Sequence, residues 1–242
     1  MGTIVSVVSG KGGTGKSTIA ASLGITAARQ KKRVLLADLD AGLCSLDLFF
    51  HMQDRIVYNL GDVCSGRCTP ADAVFAHMDN PYVSLVCAPA VNFSDFHIAD
   101  VLPALREYQK QFDLIFLDMP AGISAAAEAS NLLSDETLVV VTPDLISVRD
   151  AQRLAAFLPL EHVHLLINKV SRSTVQLGGL SDLDEAVDMV GVPVLGVLPL
   201  DIGISGYIAE DKRCSPLTRK IFSALIERLN GRYVPLILKT VP

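Results

Sequence analysis

Residues 10 to 17 read Gly10-Lys11-Gly12-Gly13-Thr14-Gly15-Lys16-Ser17, and Thr18 follows. The stretch fits the pattern G-x-x-x-x-G-K-[ST], in which glycines let successive backbone N–H groups face the phosphates of a nucleotide. Lys16 supplies charge to those phosphates, and the Ser17 hydroxyl is a ligand for Mg²⁺. A glycine-rich turn with incidental lysines would not need both residues at a helix entry, where the helix N-terminus adds partial positive charge. The stretch therefore predicts a site for a nucleoside polyphosphate.

Apolar, β-branched runs alternate with helical patterns along the chain, which indicates βαβ units and a largely parallel sheet. Most runs lack alternation of apolar and polar residues, as expected of strands that are covered on both faces. Strands are predicted at 3–9, 33–38, 83–88, 114–118, 137–142, 163–168 and 194–198. Helices are predicted at 17–30, 94–111, 147–157, 181–189 and 216–229. The expected fold is an α/β three-layer sandwich with a mostly parallel central sheet covered by helices on both faces.

Composition favours one globular unit. Half of the 242 residues are hydrophobic and 19% are charged, so a large core can be buried. With no linker or internal repeat, we expect a single domain over residues 1–231 and a short apolar tail over residues 232–242. No apolar run is long enough to span a bilayer, and no export signal opens the chain. A cytoplasmic protein is expected, with its five cysteines reduced.

The charge is unevenly distributed along the chain. The net charge is −5, but residues 212–242 carry seven Lys or Arg and one acidic residue, so this end carries +6 and the preceding 211 residues −11. An acidic body argues against general or specific binding of nucleic acid.

Two strands end in carboxylates that could serve the phosphates. The strand 114–118 resembles a Walker B element, whose aspartate holds Mg²⁺, often through water, so Asp118 is a candidate metal residue. Asp38 and Asp40, spaced by two at another strand end, point the same way. Asp40 is the catalytic candidate for orienting an attacking water, and Asp38 for supporting Ser17 and Mg²⁺. Each carboxylate could instead cap the segment that follows it.

Two further segments could contact the nucleotide. Gly122 would allow a backbone N–H to approach and report the terminal phosphate. The segment Ile167-Asn168-Lys169-Val170-Ser171 resembles the N-K-x-D motif of guanine binders, but serine stands in place of the aspartate that would accept the N1–H and N2–H₂ of guanine. ATP and ADP are therefore favoured. Asn168 and the backbone from Pro199 to Asp201 are the candidate adenine contacts, although asparagine at a strand end is also a common loop former.

Two cysteines are spaced as C-x-x-x-C. On a helix, Cys64 and Cys68 would face one side and could hold half of a metal site. No second pair or nearby histidine completes four ligands, so small buried hydrophobic side chains are the favoured interpretation.

With these motifs in this order, the chain resembles the MinD/ParA family of deviant Walker A ATPases, and within it the bacterial, septum site-determining MinD type. The segments that carry the resemblance are 9–18, 38–42, 45–48, 118–123, 142–144, 147–150 and 191–199. Together they cover most of the chain up to about residue 230. The resemblance implies the P-loop NTPase fold, Mg²⁺-dependent hydrolysis of ATP to ADP and phosphate, and a homodimer that forms with ATP.

The resemblance also implies roles for the two lysines of the loop. Lys11 would reach across the dimer interface to the partner's phosphates, while Lys16 and Ser17 act within their own chain. A cation placed on the γ-phosphate from outside can stabilise transition-state charge and make dimerisation depend on ATP. The alternative is that Lys11 contacts phosphate within its own chain. Asp144 and Asp150 lie where the family builds part of its dimer face.

Two departures from the family pattern bear on the cellular role. Cys44 and Ser45 stand where MinD-type proteins usually have arginine and asparagine, so partner binding is expected to differ there. Membrane-binding members end in a basic amphipathic helix, whereas Pro235 and Pro242 leave too few residues for one. The tail is expected to pack on the body, and the basic end with apolar residues 236–238 could still attach weakly to anionic lipid at the inner face of the cell membrane.

The leading functional prediction is an ATP-hydrolysing switch that positions cellular machinery, such as a regulator of the division site, and that answers to a protein activator. One alternative is a ParA-like ATPase that partitions DNA or other cargo, which the basic end keeps open. Another alternative is a metal- or cluster-insertion ATPase, in which Cys64 and Cys68 would bind the metal or cluster.

Overall fold

Eight strands form one sheet in the computed structural model, which describes residues 1–91, 96–204 and 214–237. The strands are β1 (Thr3–Val8), β2 (Val34–Asp38), β3 (Phe75–Ala76), β4 (Val83–Cys87), β5 (Leu114–Asp118), β6 (Glu136–Val141), β7 (Val163–Val170) and β8 (Val194–Pro199). Their order across the sheet is β3-β4-β2-β5-β1-β6-β7-β8. Every neighbouring pair is parallel except β3 with β4. The carboxyl ends of the seven parallel strands therefore lie at one edge of the sheet.

Helices cover both faces of the sheet. They are α1 (Lys16–Arg29), α2 (Leu46–Phe49), α3 (Leu60–Cys64), α4 (Leu102–Tyr108), α5 (Ser124–Leu133), α6 (Leu145–Ala155), α7 (Arg172–Leu177), α8 (Leu183–Val190) and α9 (Pro216–Leu229). The helices α1 and α9 pack on one face, with Ile19 and Phe222 in that core. The helices α4, α5, α6 and α8 contribute to the core of the other face, which includes Tyr108 and Leu154. Because successive residues of a strand point to opposite faces, β2 divides Leu35 and Leu36 between these two cores.

The structure confirms the predicted fold. All seven predicted strands are present, with ends that differ from the prediction by at most two residues. They are buried on both faces, as their continuous apolar runs indicate. The chain therefore has the expected three-layer arrangement around a mostly parallel sheet.

The sequence was less informative about the helices. The prediction of one helix over 94–111 was wrong in extent: its first two residues lie outside the described residues, and a 3₁₀ turn at Ile98–Val101 precedes α4. Pro103 sits in the first turn of α4, where its missing N–H is tolerated. The prediction also missed α5, whose sequence is rich in alanine. The short elements α2, α3, α7 and β3 were missed as well.

Candidate functional site

The phosphate loop connects β1 to α1 at the carboxyl edge of the sheet. Gly15 caps the N-terminus of α1 with a φ of 100°, and Gly13 has a φ of 80°, so both adopt a backbone that favours glycine. A Cβ atom on Gly15 would lie 2.6 Å from Nδ2 of Asn168. One on Gly10 would lie 2.7 Å from Cβ of Asp150 in α6. The loop thus approaches two neighbouring elements closely because its glycines lack side chains.

The two lysines of the loop lie in different environments. Lys16 is 8% exposed and has no hydrogen bond or ion pair to any residue that the structure describes. Lys11 has a side chain that is 43% exposed, and its Nζ lies 3.4 Å from Oδ1 of Asp144. A buried ammonium without a hydrogen-bond acceptor favours the binding of an anion, and its charge also acts on Asp40 and Asp118. Ser17 and Thr18, half-buried, follow Lys16 on the first turn of α1.

Asp38 and Asp118 end neighbouring strands and are partners in the register of β2 and β5. Asp38 is fully buried and accepts three backbone hydrogen bonds: its Oδ1 from Asp40 N–H at 3.1 Å, and its Oδ2 from Ser45 and Leu46 N–H at 2.7 and 2.9 Å. Burial raises the pKa of Asp38 to about 6, although these bonds lower it. Asp38 therefore organises the loop that carries Asp40.

Asp118 is 1% exposed, and neither carboxylate oxygen has a hydrogen-bond partner within the described part of the chain. Burial raises its pKa to about 7, and the charge of Asp38 adds to this, while the Ser17 hydroxyl and Lys16 lower it. A buried carboxylate that no backbone N–H stabilises favours a cation beside it. Together with the Ser17 hydroxyl, Asp118 supplies the oxygen donors that Mg²⁺ prefers. The residues present therefore fit the predicted magnesium site.

Asp40 lies half-buried at the mouth of the site. Burial raises the pKa of its carboxyl group, and the charge of Lys16 lowers it. The Asp40 carbonyl accepts hydrogen bonds from Leu43 and Cys44, which closes a turn in the loop. The carboxylate thus lies close enough to Lys16 to feel its charge. The role of Asp40 in orienting water stays a prediction.

Gly122, four residues after Asp118, has a φ of 120°. Its N–H donates to the carbonyl of Ser9 at 3.3 Å, so in this conformation the group is already engaged. The predicted contact between this N–H and the terminal phosphate requires that bond to break, and it stays a prediction.

A pocket of about 250 Å³ adjoins the phosphate loop. It is lined by Gly15, Thr18, Asn168, Lys169, Pro199, Leu200, Asp201, Ile202 and Ile204. The structure thus brings the candidate adenine contacts together beside the loop, and their role stays a prediction. Ser171, which replaces the guanine-binding aspartate, accepts the Thr174 N–H at 3.1 Å and caps α7.

Two candidate base contacts have side chains that are already engaged. Asn168 donates from Nδ2 to the Thr14 carbonyl at 2.9 Å, and its Oδ1 accepts the Lys169 N–H at 2.9 Å. The Asp201 carboxylate accepts from Thr218 Oγ1 at 2.7 Å and Ser215 N–H at 2.9 Å, at the start of α9. The Asp201 carboxylate is thus engaged within its own chain, and the contact between its backbone and the base stays a prediction. Sequence reasoning missed Lys169, although it is the lysine of the quoted N-K-x-S segment.

The start of α6 carries the residue that holds Lys11. Asp144 caps α6 by accepting the Ser147 N–H at 2.9 Å, and it accepts the Thr142 hydroxyl at 2.6 Å. Although burial alone would raise the pKa of Asp144, these bonds and the charge of Lys11 lower it overall. Leu145 and Ile146, which follow, are 43% and 57% exposed. The predicted dimer face thus combines an ion pair with exposed apolar side chains.

The interpretation of Cys64 and Cys68 as small buried side chains was wrong for Cys64, whereas Cys68 is partly buried and packs against the core. Helix α3 ends at Cys64, which is exposed, and Cys68 follows a turn and is half-buried. They therefore do not share one helical face. Within residues 1–91, 96–204 and 214–237, no cluster of three or more His, Cys, Asp or Glu side chains could hold a metal ion. All five cysteines are free thiols in this structure.

The described part of the tail, residues 232–237, is not helical. Arg228 of α9 donates to the carbonyls of Val234 at 2.8 Å and Pro235 at 2.6 Å, and also to that of Leu195 in β8. Ile237 packs against the core on the α1 and α9 side. Residues 238–242, which include the rest of the apolar segment, lie outside the described residues. Among the helices described, none is both long and apolar enough to cross a membrane.

Comparisons with known proteins agree with this geometry. The model of the CobQ/CobB/MinD/ParA nucleotide binding domain matches residues 5–214. The septum site-determining protein MinD of Synechocystis sp. is 34% identical, over 98% of this chain and 92% of that protein.

Solved structures show the same relationship. The MinC:MinD cell division protein complex of Aquifex aeolicus contains a chain that matches with a TM-score of 0.82 and 26% identity, over 98% of this chain and 99% of that one. The MinD of Pyrococcus horikoshii complexed with Mg-ADP has a TM-score of 0.82 at 24% identity, over 95% of this chain and 96% of that one, which shows a shared fold. The predicted P-loop NTPase fold and MinD-type ATPase assignment are confirmed. The chain belongs to the CobQ/CobB/MinD/ParA nucleotide-binding family.

Proposed function

We propose that this protein is an ATP-operated switch that dimerises with ATP, hydrolyses it with Mg²⁺ and helps to select the site of cell division. The observation that carries the proposal is the contrast within the phosphate loop. Lys16 is buried and unpaired, ready for phosphate, whereas Lys11 is exposed and held by Asp144 on an outer face. One lysine serves the chain's own nucleotide, and the other is available to a second chain.

The residues divide the work of hydrolysis. The N–H groups of the loop and the Lys16 ammonium bind the phosphates and stabilise the charge that develops on them. Asp40 orients the attacking water. Ser17 and Asp118 would hold Mg²⁺, with support from Asp38, and the ion would supply positive charge that neutralises the phosphates. Lys11 of the second chain completes the site, so hydrolysis depends on dimerisation.

The exposed face around Lys11 supports a homodimer. Its ion pair with Asp144 is partly exposed to solvent, and surface pairs contribute at most about 1 kcal/mol, so release of Lys11 towards a partner's phosphate costs little. Leu145 and Ile146 beside it would be buried by a second copy. A triphosphate shared between two chains gives the ATP complex a differential affinity that ADP lacks.

Size-exclusion chromatography with light scattering tests this proposal. Wild type is expected to be monomeric with ADP and dimeric with a non-hydrolysable ATP analogue. Lys11→Ala should keep ADP affinity but lose the dimer and at least about 100-fold in hydrolysis rate, since a trans cation of this kind contributes 10³ or more in related chemistry. Lys16→Ala, the matched change on the buried lysine, should lose nucleotide binding itself. A Lys11→Ala protein that dimerises and hydrolyses ATP normally would refute the trans role.

The proposed cellular role rests on the similarity of this chain to MinD proteins. The Aquifex aeolicus MinD was solved with MinC, so we propose that this chain also binds a protein regulator, in the cytoplasm. The basic end of the chain would add weak, peripheral contact with anionic lipid at the inner face of the membrane. Sedimentation with anionic liposomes and ATP at low salt tests this contact, and no co-sedimentation would remove it from the proposal.

A further inference from the structure

Asn168 and Lys169, at the end of β7, bind two consecutive carbonyl groups of the phosphate loop. Nδ2 of Asn168 donates to the Thr14 carbonyl at 2.9 Å, and Nζ of Lys169 donates to the Gly13 carbonyl at 2.7 Å. Consecutive residues of a regular strand point to opposite faces, so these two side chains should not reach the same loop. Their convergence therefore needs a local change in the backbone.

The end of β7 supplies that change. The register between β7 and β8 shifts between Ile167 and Val170, and Lys169 has a φ of 59°. This left-handed conformation is disfavoured for a residue with a side chain, and such strain is typically retained where a side chain must be aimed. The irregular strand end turns both side chains towards the loop.

Binding of the two carbonyl oxygens fixes the direction of the N–H groups in the same peptides. A trans peptide is planar, with its C=O and N–H pointing in opposite directions. When the Gly13 carbonyl is held by Lys169, the Thr14 N–H points the other way. When the Thr14 carbonyl is held by Asn168, the Gly15 N–H points away from Asn168 in the same manner. Two phosphate-binding amides are thus aimed before any nucleotide arrives, which reduces the ordering that binding requires.

We propose that Asn168 and Lys169 are positioning residues that preset the Thr14 and Gly15 amides for the phosphates. The inference rests on the proposed nucleotide function. Both residues also line the 250 Å³ pocket beside the loop, so a base in that pocket contacts the residues that set the phosphate cradle. The lysine of this segment therefore acts on affinity through loop geometry, separately from Lys11 and Lys16.

Lys169→Met, which keeps the apolar stem and removes the ammonium, tests the proposal. Calorimetry should show ATP and ADP binding weakened by a similar factor, about tenfold, since one charge-assisted hydrogen bond is lost. Hydrogen exchange of the nucleotide-free protein should be faster at the Thr14 and Gly15 amides. Lys169→Arg should recover part of the affinity, because a guanidinium can donate to the same carbonyl. Lys110→Met, at an exposed lysine outside the site, is the control and should match wild type.

Lys169→Gly separates positioning from general stability. Glycine tolerates the left-handed backbone, so the nucleotide-free protein should unfold at or above the wild-type temperature while its affinity for both nucleotides falls. Wild-type affinity and loop exchange in Lys169→Met would overturn the proposal, as would an affinity loss that appears only with a matching loss of stability. If the wild-type protein bound neither ATP nor ADP, the proposed function itself would fail.

Discussion

The ends of β2 and β5 lie side by side, in register, and each presents a buried aspartate to the nucleotide site. Asp38 accepts three backbone hydrogen bonds, whereas Asp118 accepts none within the described residues. The two aspartates thus have equivalent positions and similar burial but different roles. The carboxylate of Asp38 builds the loop that follows β2, and that of Asp118 remains available for a cation.

The acidities of the two groups follow from the same difference. Burial raises both pKa values, but three N–H donors restrain that of Asp38, which rises to about 6. Asp118 has no such donors and lies beside the charge of Asp38, and its pKa rises to about 7. A cation between Ser17 and Asp118 would remove this cost, so the apo site is less stable than the occupied one.

The largest effect is expected from Asp38→Ala. The substitution leaves three N–H groups without an acceptor, one buried and two partly buried, and each buried unsatisfied donor costs about 1–3 kcal/mol. The free energy of unfolding should therefore fall by about 3 kcal/mol or more, as measured by urea denaturation. Asp38→Asn retains one acceptor oxygen and should lose less. If Asp38→Ala unfolded at the wild-type urea concentration, the loop-building role would be excluded.

Asp118→Asn should give the opposite pattern. Removal of an unpartnered buried charge should leave the free energy of unfolding unchanged or higher, while the ATPase rate falls by about 10- to 100-fold, the usual cost of losing a group that supports a metal. Thermal unfolding with ADP should show the reason: Mg²⁺ should raise the melting temperature of wild type and have a smaller effect on the variant. If Asp118→Asn lowered the free energy of unfolding as much as Asp38→Ala, both aspartates would have a structural role.

Much of this site could be read from the sequence because its motifs follow strands. A glycine-rich loop after an apolar run and aspartates at strand ends place Lys16, Asp38 and Asp118 at one edge as soon as the sheet is known to be parallel. The strands themselves were predictable because they are buried on both faces and read as continuous apolar runs.

Other features of the site could not be predicted, because they depend on backbone geometry that has no recognisable sequence pattern. The sequence does not show that Asp38 accepts three backbone hydrogen bonds and Asp118 none, because the donors come from a loop whose path depends on tertiary packing. Lys169 binds Gly13 only because the strand end is irregular and its φ is 59°. The exposure of Cys64 likewise follows from where α3 ends, and a spacing of four residues does not specify that end.

The smallest effect is expected at the glycine of the loop after β5. Gly122 has a φ of 120°, and Gly42, in the loop after β2, has a φ of 86°. A Cβ atom on Gly122 would meet nothing within 4 Å, so Gly122→Ala introduces backbone strain without a clash and should cost about 1 kcal/mol in the free energy of unfolding. If its N–H must leave the Ser9 carbonyl to reach a terminal phosphate, the variant should bind ADP normally and ATP more weakly, because the strained loop resists that move. Calorimetry on the variant and on wild type measures both affinities. If Gly122→Ala had the same ratio of ATP affinity to ADP affinity as wild type, the loop after β5 would hold its aspartate but would not report the third phosphate.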